Sequence, residues 1–212
     1  MDIFEKLYDY QVERIKQIIQ EASNVQPQKC VFFGDSLIQE FDLQKYFPNQ
    51  HVYNCGINGA TSSQLLLLHD EAIGKYHPKQ VVLLIGTNDL GHSDDSTLMD
   101  GHHQFDMLDI VYNVFQLIEI MNLKYNIEHV YILSPLPIEE SKKKTSNRNN
   151  ARLQLLGKEF SKFVNEFNNV SYIDVFDAFL KDGQLNEEYS KDGLHINEKG
   201  YAVLADKIKG LI

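Results

Sequence analysis

The sequence predicts one α/β domain, a parallel sheet with helices covering both faces. Two patterns carry this. Short runs rich in β-branched and aromatic residues alternate with longer stretches of helical periodicity. The short runs are apolar almost throughout, as strands are when both sheet faces are buried, and such sheets are typically parallel with crossover helices.

Taken in order, Asp2 to about Asn24 reads as an amphipathic helix, with Phe4, Tyr8, Val12, Ile15 and Ile19 spaced to share one face and Pro27 ending it. Residues 1–28 are thus expected to pack as a helix on a single domain of residues 29–212. Cys30-Val31-Phe32-Phe33, His51-Val52-Tyr53, Val81 to Ile85, Val130 to Leu133 and Val170 to Ile173 read as five strands. Thr61-Ser62-Ser63-Gln64 offers a capping box before Leu65. One helical stripe runs through Phe105, Leu108, Tyr112, Phe115 and Ile118, and another through Leu153, Leu156, Phe160, Phe163 and Phe167. A last helix carries Tyr201, Leu204, Ala205 and Ile208, with Asn197 as its cap. Aromatic stripes at this spacing are read as core.

Composition narrows the function. The 212 residues include 20 Lys and Arg against 30 Asp and Glu, a formal charge of −10. An anionic surface repels phosphate backbones and anionic membranes, so nucleic acid is not an expected partner. No stretch has the ~18 apolar residues a membrane span needs, and the N-terminal stretch lacks the uninterrupted apolar segment of a signal peptide. Cys30 and Cys55 are too few for a disulfide framework and read as buried thiols, which suits a cytoplasmic protein. No metal or cofactor is expected: adjacent His102 and His103 would point about 100° apart on a helix, and no phosphate-loop or dinucleotide glycine pattern occurs. Lys142-Lys143-Lys144, followed by Arg148, is the basic cluster; it reads as a solvated loop, with steering of an anionic substrate as its other use.

Four polar segments follow strands or precede the last helix. They are Gly34-Asp35-Ser36-Leu37, Gly56-Ile57-Asn58-Gly59, Gly86-Thr87-Asn88-Asp89 and Asp192-Gly193-Leu194-His195. In a parallel sheet the C-terminal ends of all strands lie on one edge, where open α/β sheets bind ligands, so the segments converge. Their residue types fit nucleophilic catalysis. A serine needs a neighbouring base, which His195 can provide, and Asp192, three residues earlier, can hold the other ring nitrogen. The backbone N–H groups of Ser36 and Gly59 and the side-chain amide of Asn88 are the candidate donors to an oxyanion. No Gly-x-Ser-x-Gly elbow is present.

These segments resemble the four blocks of the SGNH, or GDSL-type, esterase/lipase family, with Asn54-Cys55-Gly56-Ile57-Asn58-Gly59 as its glycine block. The resemblance spans residues 29 to about 210. Within the family, Asn54-x-Gly56-Ile57-x-Gly59 and Val82 to Asn88 look most like the platelet-activating-factor acetylhydrolase catalytic subunits and their bacterial relatives. It implies a three-layer flavodoxin-like fold with strand order 2-1-3-4-5, a triad of Ser36, His195 and Asp192, and an oxyanion hole of Ser36, Gly59 and Asn88. Gly56 competes with Gly59 for the donor role, and Asp35 and Asp89 are alternative carboxylates for His195.

The expected function is a cofactor-independent serine esterase acting on short acyl esters, chiefly acetyl, through an acyl-enzyme. Leu90, His92, Leu136, Pro137 and Ile138 are the candidate pocket residues. Rival readings are a carbohydrate O-acetylesterase, a lysophospholipase, a thioesterase, or a flavodoxin-like domain that binds a small ligand without turnover. The expected partner is a small acyl-ester substrate, with a homodimer as a compatible assembly.

Overall fold

The computed structural model describes residues 7–25, 30–92 and 107–212. Among these, five strands form one parallel sheet: β1 (Cys30–Gly34), β2 (Val52–Gly56), β3 (Gln80–Leu84), β4 (His129–Leu133) and β5 (Val170–Ile173), in the order β2-β1-β3-β4-β5. The order was implied by the resemblance, and the chain has it. β1 is central in register, pairing Gly34 with Gly56 on one side and Leu84 on the other.

The period of two along each strand divides the core into two layers. Val31, Phe33, Val81, Leu83, Val130 and Ile132 face one side, packed with residues of α1 (Asp9–Ala22), α4 (Ser62–Leu67), α6 (Met107–Tyr125) and α8 (Asn150–Phe163). Cys30, Phe32, Val82, Leu84, Tyr131 and Leu133 face the other, packed with α2 (Ser36–Gln39), α3 (Leu43–Tyr46) and α9 (Glu198–Ile208). Shorter pieces are α5 (Thr87–His92), α7 (Glu140–Lys143) and a two-stranded hairpin of β6 (Leu180–Lys181) and β7 (Gln184–Leu185), which periodicity did not mark.

Three elements differ from expectation. α1 buries Gln11, Ile15 and Ile18, while Tyr8 turns outward; Phe4 and Pro27 lie outside the described residues. The face shifts because Gln11 is needed inside, where its Nε2 donates to Asn58 O at 3.0 Å. α6 buries Met107, Ile110, Val114, Leu117, Ile118 and Met121, leaving Leu108 70% and Tyr112 62% exposed. Of the stripe read there, Ile118 is buried, Phe115 is half-buried and Phe105 is outside the described residues. β2 begins a residue later than read and runs on to Gly56, since the polar Asn54 is satisfied within it: Nδ2 donates to Ile38 O and Phe41 O, and Oδ1 accepts from Gly56 N. As the sheet's edge strand, β2 presents carbonyls that would otherwise be unpaired. Arg14 of α1 covers them, donating to Asn54 O at 2.6 Å and Gly56 O at 3.0 Å.

Candidate active site

The nucleophile candidate sits where β1 turns into α2. Gly34 closes the strand because a Cβ there would lie 2.2 Å from Leu84 O. Asp35 then caps α2, its buried carboxylate accepting from Leu37 N at 2.9 Å. This places Ser36 at the first helical position, 5% exposed.

The opposing loop precedes α9, whose cap is Asn197, its Oδ1 accepting from Gly200 N at 3.1 Å. A bridge between Ser190 and Ile196 pinches the loop, and Gly193 takes a left-handed φ of +91°. His195 Nε2 lies 3.0 Å from Ser36 Oγ, and His195 Nδ1 lies 2.9 Å from Asp192 Oδ2. The second Asp192 oxygen accepts from the N–H groups of Leu194 and His195. Burial pulls the Asp192 pKa upward, but the bonds from the His195 ring and these two N–H groups outweigh it and hold the carboxyl well below the usual range. It is therefore a fixed anion at neutral pH, oriented to keep a proton on Nδ1 and leave Nε2 as acceptor for the serine hydroxyl.

The other two segments are clamped together. Gly59 has a left-handed φ of +71°, and a Cβ there would come within 2.9 Å of Tyr10 Oη. Asn88 Nδ2 donates to Ala60 O at 3.1 Å, which leaves one amide hydrogen for another acceptor. Asp89 accepts from Ser62 N and from Ser62 Oγ, the latter at 2.6 Å, and Asn113 Nδ2 donates to that hydroxyl. Burial pushes Asp89 up to about 6, against the pull of the Ser62 bonds. Asp35 is pushed up to about 7, by burial and by the charge of Asp89, with the Leu37 N–H opposing. Asp35 is thus engaged with its own loop and Asp89 with the start of α4, while Asp192 faces His195. Gly56 N donates to Asn54 Oδ1, whereas Gly59 lies beyond the strand.

The structure brings Ser36, His195 and Asp192 into one hydrogen-bonded line and ties Asn88 to the residue after Gly59. It does not place the expected pocket residues on an open wall. Leu90 and Ile138 pack at 0% exposure in one core layer and Leu136 at 1% in the other; Pro137 is also buried. They follow strand ends, where polar chain turns outward but apolar side chains still turn in. His92 ends α5 and its side chain lies outside the described residues, as do His102 and His103. A hollow of about 830 Å³ opens elsewhere, at the start of β2 between residues such as Glu21, Asp42, Pro48 and His51, on the edge away from the triad.

Sequence reasoning missed the Asp89–Ser62–Asn113 strut, although the Thr61–Gln64 box beside it was readable and is formed. It also missed that the basic loop is built in: α7 docks through Glu139 N donating to Gly193 O at 2.8 Å. No spacing rule marks such contacts between distant loops.

A five-stranded parallel sheet of order 2-1-3-4-5 with a serine, a histidine and an aspartate in a hydrogen-bonded line at its carboxyl edge has an arrangement suited to nucleophilic catalysis, without the serine elbow of the α/β-hydrolases. The sequence profile of the GDSL-like Lipase/Acylhydrolase family matches residues 32–203, and the chain belongs to that family, as a carboxylic ester hydrolase. It is 22% identical over 202 residues to the platelet-activating factor acetylhydrolase IB subunit alpha1 of Pongo abelii, covering 92% of this chain and 80% of that one. It is 25% identical over 219 residues to the N-acylneuraminate cytidylyltransferase of Escherichia coli O18:K1:H7, covering all of this chain but 45% of that relative's length. Among solved structures, a Streptococcus pneumonia protein provisionally called a platelet activating factor superposes with a TM-score of 0.83 at 25% identity, covering 95% and 92% of the two chains. An acetylxylan esterase from Geobacillus stearothermophilus superposes at 0.67 with 19% identity, covering 87% and 94%.

Proposed function

We propose that the protein hydrolyses short-chain carboxylic esters, acetyl esters above all, through a Ser36–His195–Asp192 triad and an acyl-enzyme. Ser36 Oγ attacks the ester carbonyl while its proton passes to His195 Nε2. Asp192 holds the imidazole by Nδ1–H and stabilises the imidazolium that forms. The negative charge developing on the carbonyl oxygen meets the N–H of Ser36 and of Gly59 and the second amide hydrogen of Asn88. Gly56 is the weaker donor candidate, because its N–H is already given to Asn54. His195 then protonates the leaving alcohol, and a water activated by the same nitrogen hydrolyses the acyl-enzyme.

The observation that carries the reading is the unbroken line of Ser36 Oγ, His195 and Asp192 at 3.0 and 2.9 Å. Acetyl as the acyl group is supported by relatives and neighbours described as an acetylhydrolase and an acetylxylan esterase. The buried, unpaired thiols of Cys30 and Cys55 suit a reducing, cytoplasmic setting.

A fluorophosphonate probe tests the mechanism. The wild type is expected to label and Ser36→Ala to remain unlabelled; a wild type that never labels sinks the reading and favours a ligand-binding domain without turnover. The acyl preference is read from kcat/KM over acetyl to decanoyl esters of one alcohol. A steep fall beyond butyryl is expected, and a rise would favour a lipid substrate.

A further inference from the structure

The basic stretch around residues 142–148 is left unused by the chemistry above, and its cations are unequally partnered. Lys142 Nζ lies 2.8 Å from Glu139 Oε2, Lys144 Nζ 3.3 Å from Glu140 Oε2, and Lys143 Nζ 3.5 Å from Asp192 Oδ2. Arg148 differs. Among the described residues its guanidinium has no carboxylate at ion-pair distance; Nε donates to Lys143 O at 3.0 Å, and burial lowers its pKa.

Its location matters as much as its having no anion among the described residues. The guanidinium presses on Gly91, where a Cβ would come within 2.3 Å of Nη1, and Gly91 is three residues along α5 from Asn88. Lys143, whose carbonyl it holds, belongs to the helix docked on the Asp192–His195 loop. Thr145 fixes the arrangement, donating through Oγ1 to Leu90 O and accepting from Arg148 N. Arg148 therefore stands between the Asn88 helix and the segment beside the triad. Four residues on, in the first turn of α8, Arg152 carries a buried Nε with no hydrogen-bond partner.

Withdrawing a guanidinium from water without an anion is costly, and an orphaned donor adds to that cost. A ligand bringing a carboxylate to Arg148 would relieve the first of these costs, and the planar guanidinium fork matches a carboxylate in two parallel bonds. We propose that Arg148 forms an anion subsite for the alcohol part of the substrate, so that the favoured ester carries a carboxylate on its leaving group. The subsite rests on the esterase reading. It works against the chain's charge of −10, which repels such a substrate at long range; the preference comes from local contact.

The test measures calorimetric binding of 4-acetoxybenzoate, 4-acetoxybenzamide and 4-acetoxyphenyl phosphate to the Ser36→Ala protein at fixed ionic strength. The carboxylate is expected to bind roughly ten-fold tighter than the carboxamide, the scale of one charge-assisted hydrogen-bonded pair. Adding Arg148→Gln is expected to remove that ratio, Arg148→Lys to restore part of it, and Lys142→Gln to leave it intact. Equal binding of carboxylate and carboxamide, or a ratio that survives Arg148→Gln, overturns the proposal. Tighter binding of the phosphate overturns its assignment to a carboxylate. If Arg148→Gln fails to fold, the ratio in Ser36→Ala and its change in Arg148→Lys decide. Turnover is read separately: a wild type that prefers the carboxylate but hydrolyses neither ester breaks the esterase reading and leaves the subsite standing.

Discussion

Asp192 and Asp89 belong to the same carboxyl edge of the sheet, yet their surroundings push them in opposite directions. Asp192 is 38% exposed at its side chain and receives the His195 ring together with two backbone N–H groups, so it stays ionised. Asp89 is fully buried and bonded chiefly to Ser62, so burial dominates and its pKa rises to about 6. A carboxylate placed to steady a transient imidazolium, the role proposed for Asp192, is kept charged and partly wet. One that joins two loops can be dry, at the cost of a harder ionisation. The same residue type is therefore held ionised or pushed toward neutrality according to whether hydrogen bonds or desolvation prevail.

The largest effect separates the two directly. Asp192→Asn keeps the shape but presents an amide to Nδ1, which favours the wrong imidazole tautomer; kcat is expected to fall roughly 10⁴-fold, as for the equivalent change in other serine triads. Asp89→Asn is expected to cost far less in kcat. Steady-state rates for both on one acetyl ester check this, and equal losses would erase the distinction between them.

The next effect probes what the Asp89 strut supports. Asn88→Ala is expected to lower kcat about 10²–10³-fold with little change in KM, because the amide acts on charge that appears in the transition state. An unchanged kcat removes Asn88 from the oxyanion hole. A rise in KM alone would make it a residue that binds substrate and transition state equally.

How this edge could be read beforehand differs from residue to residue. The strands were legible because Val31, Phe33, Val81 and Val130 leave no polar position to mistake, and the strand ends then located Ser36, Asn88 and His195 without any distance. α6 was harder. Leu108, Tyr112 and Phe115 make as regular a stripe as Ile110, Val114 and Leu117, since the helix is apolar on more than one side, and the partner surface decides which stripe is buried. Leu90, Leu136 and Ile138 misled for a related reason: being next to a candidate site segment in sequence does not reveal inward or outward direction. The strut from Asp89 through Ser62 to Asn113 joins residues 27 and 51 apart. Contacts of that span follow from packing and leave no periodic trace.

The smallest effect is one of stability, and its sign follows from the raised pKa of Asp89. The folded state holds its proton up to about 6, whereas the unfolded chain releases it near 3.8. Between those values the folded protein binds more protons, so stability falls as pH rises through the window. Below it the contribution is fully present; above it the charge is disfavoured by burial, which the Ser62 bonds offset only in part. Asp89→Asn removes the titration but keeps an oxygen that can accept from Ser62 N. The variant is therefore expected to gain on the wild type as pH increases from 4 to 7, by up to ~3 kcal/mol at the scale of 1.36 kcal/mol per pKa unit. Asp35, pushed up to about 7 by burial and by the charge of Asp89, should titrate lower in the variant, since that neighbouring charge is gone. Urea unfolding of both proteins at several pH values checks the sign. A difference between them that stays constant from pH 4 to 7 would show that Asp89 ionises in the fold as easily as in the open chain, and the contrast with Asp192 would then have to rest on geometry alone.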